Sequence, residues 1–180
     1  MRLFKLLPLL LVLAGIALPA AADHHGDKHP FSVHDMLAMD RISDPQVSPD
    51  GQWVAYNVRT TDLEANKGRT DIWISRVDGS ETRQLTRDPA GDWNPRWCQN
   101  GTLFFLSTRS GSVQIWNFDP RGGEARQYTH LDLSIGNMEV VPELGSFLIS
   151  LEVYPGMTVA ETVAEDEKRA ADPATGMVYD

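Results

Sequence analysis

Few groups in this 180-residue chain have the type and spacing for chemistry. His24, His25 and His29 crowd one polar stretch, Asp23-His24-His25-Gly26-Asp27-Lys28-His29-Pro30. Cleavage after Ala22 would make His25 the third residue. A free amine, two deprotonated amides and its imidazole would then form a square-planar set for Cu(II) or Ni(II). Short histidine-rich tails usually bind nothing specific. No metal or other cofactor is therefore expected, and His24 and His25 are the nearest metal candidates. Cys98 is the one cysteine. A nucleophilic thiol needs a basic partner, and His130 has no motif around it, so Cys98 is expected to be packed and inert. Ser80, Ser112 and Ser146 each follow a glycine, but none has a second glycine two residues on. Without Gly-x-Ser-x-Gly there is no nucleophile elbow, and no catalytic residue is expected. Glu64 and Glu152 fall in expected loops, where a carboxylate can meet a peptide's α-amino group; a plain solvated surface role stands beside that reading. No other substrate-binding residue is assigned.

Beyond that polar stretch the chain is built of short strands and turns that repeat. Asp44-Pro45-Gln46-Val47-Ser48-Pro49-Asp50-Gly51-Gln52-Trp53-Val54-Ala55-Tyr56 reads as strand, turn, strand. Pro49 presets φ in the turn, and Gly51 supplies the positive φ that closes it. The pattern returns as Asn94-Pro95-Arg96-Trp97-Cys98-Gln99-Asn100-Gly101-Thr102-Leu103-Phe104-Phe105-Leu106. The second halves match too: Asp71-Ile72-Trp73-Ile74 with Gln114-Ile115-Trp116-Asn117, and Arg83-Gln84-Leu85-Thr86 with Arg126-Gln127-Tyr128-Thr129. The first unit is longer by a polar loop, Thr60–Thr70. A repeat of about 43 residues with four strands has the size of a β-propeller blade.

A third unit begins at Met138–Val141, turns at Pro142-Glu143-Leu144-Gly145 and continues as Ser146–Val153. Thr158–Ala171 reads as a solvated helix or loop, and Val178-Tyr179-Asp180 as a starting strand. Upstream, residues 31–43 read as one helix. Ser32 and Asp35 form its capping box, and Val33, Met36, Leu37, Met39 and Ile42 form its apolar stripe. The expected fold is all-β: a partial β-propeller of two four-stranded blades and part of a third, after a short N-terminal helix. The blades fall at about 44–90, 91–132 and 133–180. Each blade buries its faces only against neighbours, so this arc is expected to be a fragment of a larger ring.

Residues 1–22 read as a secretory leader: Arg2 and Lys5, then an apolar run, then Ala20-Ala21-Ala22. Residues 23–30 are then a flexible His-rich start. The chain carries a net charge of −9; without Arg2 and Lys5, 14 basic residues face 25 acidic ones, a charge of −11. That balance argues against nucleic acid and anionic membrane surfaces, and a periplasmic location with no membrane contact after cleavage is expected.

The ordered set resembles the N-terminal end of the prolyl oligopeptidase family of serine peptidases, in the branch of acylaminoacyl peptidase and dipeptidyl-peptidase 5. It includes Ile42-Ser43-Asp44-Pro45-Gln46-Val47-Ser48-Pro49-Asp50-Gly51, Asp62-Leu63-Glu64-Ala65-Asn66-Lys67, Thr70-Asp71-Ile72-Trp73, Leu85-Thr86, Asn94-Pro95-Arg96-Trp97, Gln114-Ile115-Trp116, Gly122-Gly123-Glu124-Ala125-Arg126-Gln127 and Glu152-Val153-Tyr154-Pro155. Ser48-Pro49-Asp50-Gly51 alone is common among periplasmic propellers. The second unit departs from it, with Cys98-Gln99-Asn100-Gly101. The resemblance implies a propeller that screens short peptides for a C-terminal α/β-hydrolase domain carrying a Ser-Asp-His triad. The resemblance places that domain outside residues 1–180 and puts no family catalytic residue on them. The alternative is a non-catalytic, TolB-like periplasmic propeller that binds protein partners.

Overall fold

The computed structural model describes residues 29–120 and 122–172. The chain divides into two units, Met1–Phe31 and Ser32–Asp180. Of the first, only 29–31 are described, without a regular element. The expected leader, His24, His25 and the strand at Val178–Asp180 lie outside the described residues.

In the second unit α1 (Val33–Ala38) is followed by β1 (Arg41–Val47), β2 (Trp53–Asp62), β3 (Lys67–Arg76), β4 (Thr82–Gln84), β5 (Asp92–Trp97), β6 (Leu103–Ser107), β7 (Gln114–Phe118), β8 (Arg126–Gln127), β9 (Ile135–Val141), β10 (Ser146–Leu151) and α2 (Val159–Ala171). The strands form antiparallel sheets in the orders β1-β2-β3-β4 and β5-β6-β7-β8, with a β9-β10 pair. They are two blades and the first half of a third.

Two boundaries differ from expectation. The helix expected over 31–43 stops at Ala38, although Ser32 and Asp35 do form its capping box. Met39 is already extended, and Ile42 pairs with Val58 in the sheet. The apolar stripe meets no core, since α1 buries no residue, and the ladder to β2 takes the chain instead. The loop expected at Thr60–Thr70 is a continuation of the β2–β3 ladder as far as Asp62↔Lys67. Its polar residues mark exposure rather than loss of pairing. Asn66, at φ 49°, makes the reversal, and the Ala65 N–H donates to Asp62 Oδ1 at 2.9 Å.

The turns share two hydrogen bonds. The Gly51 and Gly101 N–H groups donate to Ser48 O and Cys98 O, each at 2.9 Å. Gln52 and Thr102 N–H donate to Asp50 and Asn100 Oδ1. Before each turn β1 and β5 carry a bulge, at Asp44-Pro45 and Asn94-Pro95, with Asp44 at φ 51° and Asn94 at φ 57°. Asx residues tolerate this left-handed conformation best after glycine. The outer strands repeat as well. The Ile72 and Ile115 N–H groups donate to Thr86 and Thr129 Oγ1, each at 2.9 Å. A threonine hydroxyl thus replaces a ladder carbonyl where β4 and β8 swing away.

Alternation along the strands sends the two faces of each sheet to different neighbours. Ala55, Ile72, Ile74 and Leu85 of the first sheet pack against Leu103 and Phe105 of the second, with Trp97 and Trp116 beside them. The intervening residues Phe104, Leu106 and Ile115 pack against Ile135 and Met138 of the third. Phe105, Leu106 and Ile115 have no exposed surface, so the second sheet is covered on both faces.

The first strands β1, β5 and β9 are tied by Arg96. Its guanidinium donates to Asp44 Oδ2 at 2.8 Å and to both oxygens of Glu139 at 2.7 and 2.8 Å. Trp97 Nε1–H donates to Gln46 O at 2.9 Å.

Candidate functional site

The sheets present two different ends. One carries the tight turns, and a cavity there runs between Ser48–Asp50 and Gln99–Gly101 over Trp53 and Trp97. The other end is more elaborate. It carries the long β2–β3 hairpin, the β6–β7 turn, the links between sheets, and the chain that leaves β10 for α2. Both acids singled out from sequence lie there. Glu64 is at the hairpin tip and Glu152 follows β10; both are exposed. The structure does not bring them together, and only Glu152 lines a cavity.

That cavity, about 470 Å³, lies between Trp93, Val113, the 132–136 link, Glu152 and Asp166. A second one, about 220 Å³, shares Glu152 and Asp166 and adds Tyr154 and Thr162. Together they make a cleft with three carboxylates, Asp132, Glu152 and Asp166, beside two aromatic rings. Helix α2 holds one wall. Thr158 and Glu161 form its capping box, through Thr158 N–H to Glu161 Oε2 at 2.7 Å and Glu161 N–H to Thr158 Oγ1 at 3.3 Å. Buried Thr162 accepts from the Tyr154 N–H at 3.3 Å. The Tyr154 hydroxyl donates to Asp166 Oδ1 at 2.7 Å, and that bond pushes its pKa up. Arg169 lies 4.5 Å from the Tyr154 ring and pairs with Glu165 at 2.8 Å. The basic groups of α2 are therefore spent on its own surface and on Tyr154, and the cleft side stays acidic.

Among the described residues no three His, Cys, Asp or Glu side chains lie close enough to hold a metal ion. The spread of carboxylates suits a larger organic cation, with an aromatic face available for cation–π contact.

The other sequence candidates are spent in structure. Cys98 packs on the core between the second and third sheets, and burial pushes its thiol pKa up, the opposite of an activated nucleophile. His130 is exposed. Ser80 Oγ–H donates to Asp78 at 2.7 Å, Ser112 Oγ accepts from Gln114 at 3.0 Å, and Ser146 Oγ–H donates to Leu144 O at 3.0 Å. Asp132, Asp166 and Trp93 were not legible as site residues. For Asp166 one signal existed: the capping box Thr158-x-x-Glu161 fixes a helix start, which places Asp166 two turns in.

No family model matches the chain. It is 28% identical over 147 residues to an uncharacterized peptidase, YuxL, of Bacillus subtilis, covering 81% of this chain and 22% of the relative. It is 28% identical over 132 residues to dipeptidyl-peptidase 5 of Porphyromonas endodontalis, covering 68% of this chain and 19% of that protein. The chain matches the N-terminal propeller part of prolyl oligopeptidase-family peptidases. Only about a fifth of these relatives' length is spanned by this propeller part, 22% and 19%. A solved structure, the AtxE2 isopeptidase in its apo form, superposes with a TM-score of 0.58 at 22% identity, over 84% of this chain and 27% of that one, and shares the fold. A shorter match, 42% identical over 50 residues, is to the Tol-Pal system protein TolB of Anaeromyxobacter dehalogenans, covering 28% of this chain and 10% of that one.

Proposed function

We propose that this chain is the substrate-screening wall of a secreted serine exopeptidase that releases dipeptides from peptide N-termini, with bond cleavage performed by a hydrolase domain outside residues 1–180. The observation that carries the reading is the acidic cleft of Asp132, Glu152 and Asp166 beside Trp93 and Tyr154, on a propeller similar to that of a dipeptidyl-peptidase. An unblocked α-amino group has a pKa near 8 and is largely cationic at neutral pH. Three carboxylates around one concave site attract it more than a single one on open surface. An acylated N-terminus carries no such charge, so the cleft favours dipeptidyl over acylaminoacyl release. The blades contribute position and exclusion, not bond cleavage.

The test is affinity. A dipeptide amide with a free N-terminus should bind the purified chain in calorimetry. N-acetylation of the ligand, or Glu152→Gln together with Asp132→Asn, should weaken binding about tenfold or more. Equal binding of free and acetylated ligand would reject the proposal. The second reading, a non-catalytic propeller that binds protein partners, is favoured by the 50-residue TolB match. Under that reading neither ligand binds.

A further inference from the structure

Each complete sheet is left by a link to the next. The two links differ in sequence, and within the first Asp88 Oδ1 accepts from the Ala90 N–H at 2.9 Å. The side chain two before the repeated Trp73 and Trp116 also differs. In the second sheet it is Gln114, which is buried. Its Nε2 donates to Leu131 O at 2.9 Å and Leu133 O at 3.4 Å, and its Oε1 accepts from Leu131 N–H and Thr129 Oγ1–H at 2.9 Å each. A carboxamide, donor on one side and acceptor on the other, thereby pins the 130–134 link to β7. The repeat-equivalent residue in the first sheet is Asp71, which precedes Ile72-Trp73 as Gln114 precedes Ile115-Trp116. The two links are equal in length, 87–91 from Thr86 to Asp92 and 130–134 from Thr129 to Ile135.

An ionised carboxylate only accepts hydrogen bonds. Asp71 Oδ2 accepts from Arg69 Nε at 2.9 Å, while Oδ1 is buried with no partner. The charged groups around it are Arg69 on its own strand and Asp92 on β5; Asp92 is fully buried and gripped by Arg109 at 2.6 and 2.7 Å. Gln84 on β4 is a neutral polar neighbour of the carboxylate. Burial raises the Asp71 carboxyl pKa most, Arg69 opposes that, and the negative charge of Asp92 adds to it.

We propose that Asp71 is a proton-operated latch on the link between the first and second sheets. Protonated, its Oδ1–H donates to a link carbonyl, of Asp88 or Ala90 by the repeat, as Gln114 Nε2 donates to Leu131 and Leu133. Ionised, that oxygen has nothing to give, and the link loosens. The link leads into Asp92 and Trp93, so the latch bears on the aromatic wall of the acidic cleft. The linkage sign follows from the raised value. The folded state holds the Asp71 proton more tightly than the unfolded chain does. The stabilisation is complete below the ordinary value of 3.8 and is lost as pH rises through the raised one.

Asp71→Asn keeps the shape and removes the titration. In the full chain, the wild-type unfolding midpoint should fall by about 2–4 °C relative to Asp71→Asn as pH rises from about 4.5 to about 8. The variant should be at least as stable as wild type at the upper end. A variant less stable by the same margin at every pH would overturn the proposal. A second readout needs no variant: the Asp71 carboxyl ¹³C shift in the wild type, with hydrogen exchange of amides 87–91. The latch requires a titration midpoint above 3.8 and exchange that slows on protonation. A midpoint below 3.8, or exchange that ignores it, would also overturn the proposal.

Discussion

Thr86→Val and Thr129→Val test whether the repeat is mechanical as well as geometric. Valine keeps the shape of threonine and removes the hydroxyl. Ile72 and Ile115 are fully buried, and their N–H groups donate to those hydroxyls at 2.9 Å. Each N–H also lies beside a carbonyl that already accepts from the outer strand, through Leu85 and Thr86 N–H in one blade and Tyr128 and Thr129 N–H in the other. The freed N–H has no water to turn to, and an unsatisfied buried donor costs about 1–3 kcal/mol. For Thr86→Val about 2 kcal/mol is expected, a fall of about 4–8 °C in unfolding midpoint for a chain of this size. Thr129→Val should cost more, because the same hydroxyl donates to Gln114 Oε1 at 2.9 Å. That oxygen keeps the Leu131 N–H, so the surplus is about 0.5–1.5 kcal/mol. The two sites lie in different blades and should add to within about 0.5 kcal/mol. Thr82→Val is the control: its hydroxyl meets Ser75 on the surface at 2.8 Å, and its loss should stay within about 0.5 kcal/mol. Urea unfolding followed by tryptophan fluorescence and circular dichroism reads wild type, the three single variants and the Thr86→Val/Thr129→Val double variant. If Thr86→Val matched wild type, or Thr82→Val cost as much, the reasoning would be refuted.

Arg96→Met should destabilise by about 1–3 kcal/mol, between the values for exposed and buried pairs, because the guanidinium is mostly buried while Glu139 is half exposed. Double-mutant cycles should show stronger coupling to Asp44 than to Glu139; absence of coupling to either acid would remove Arg96 as the tie between first strands. The purified chain should neither hydrolyse dipeptidyl chromogenic substrates nor react with a serine-directed fluorophosphonate, since its glycine-adjacent serines are bonded within their own turns. A labelled serine, located by peptide mapping, would contradict that.

Much of the blade was readable because its determinants are local. Pro49, Asp50 and Gly51 specify a turn by their own dihedral preferences, and Asn100 and Gly101 do so again. Where a determinant lay elsewhere, the sequence misled. Met39 and Ile42 continue a helical spacing, yet Ile42 belongs to a strand because Val58 offers it a ladder partner. Thr60–Thr70 is polar and resembles a loop, but backbone pairing does not require an apolar side chain, and β-branched Thr60, Thr61 and Thr70 suit the ladder. The left-handed bulges at Asp44 and Asn94 had no glycine to announce them. The cleft was least legible: Glu152 could be named as an exposed acid, but its partners come from the 132–136 link and from α2, and only the packed fold places three such distant segments side by side.

The most direct measurement of the central claim is a ¹H–¹⁵N chemical-shift map of the chain titrated with a free-amine dipeptide amide. Saturable shifts should cluster at Trp93, the 132–136 link, Glu152, Tyr154 and Asp166. Shifts confined to the Ser48–Gly51 and Cys98–Gly101 turns, or none at millimolar ligand, would contradict a peptide-screening wall.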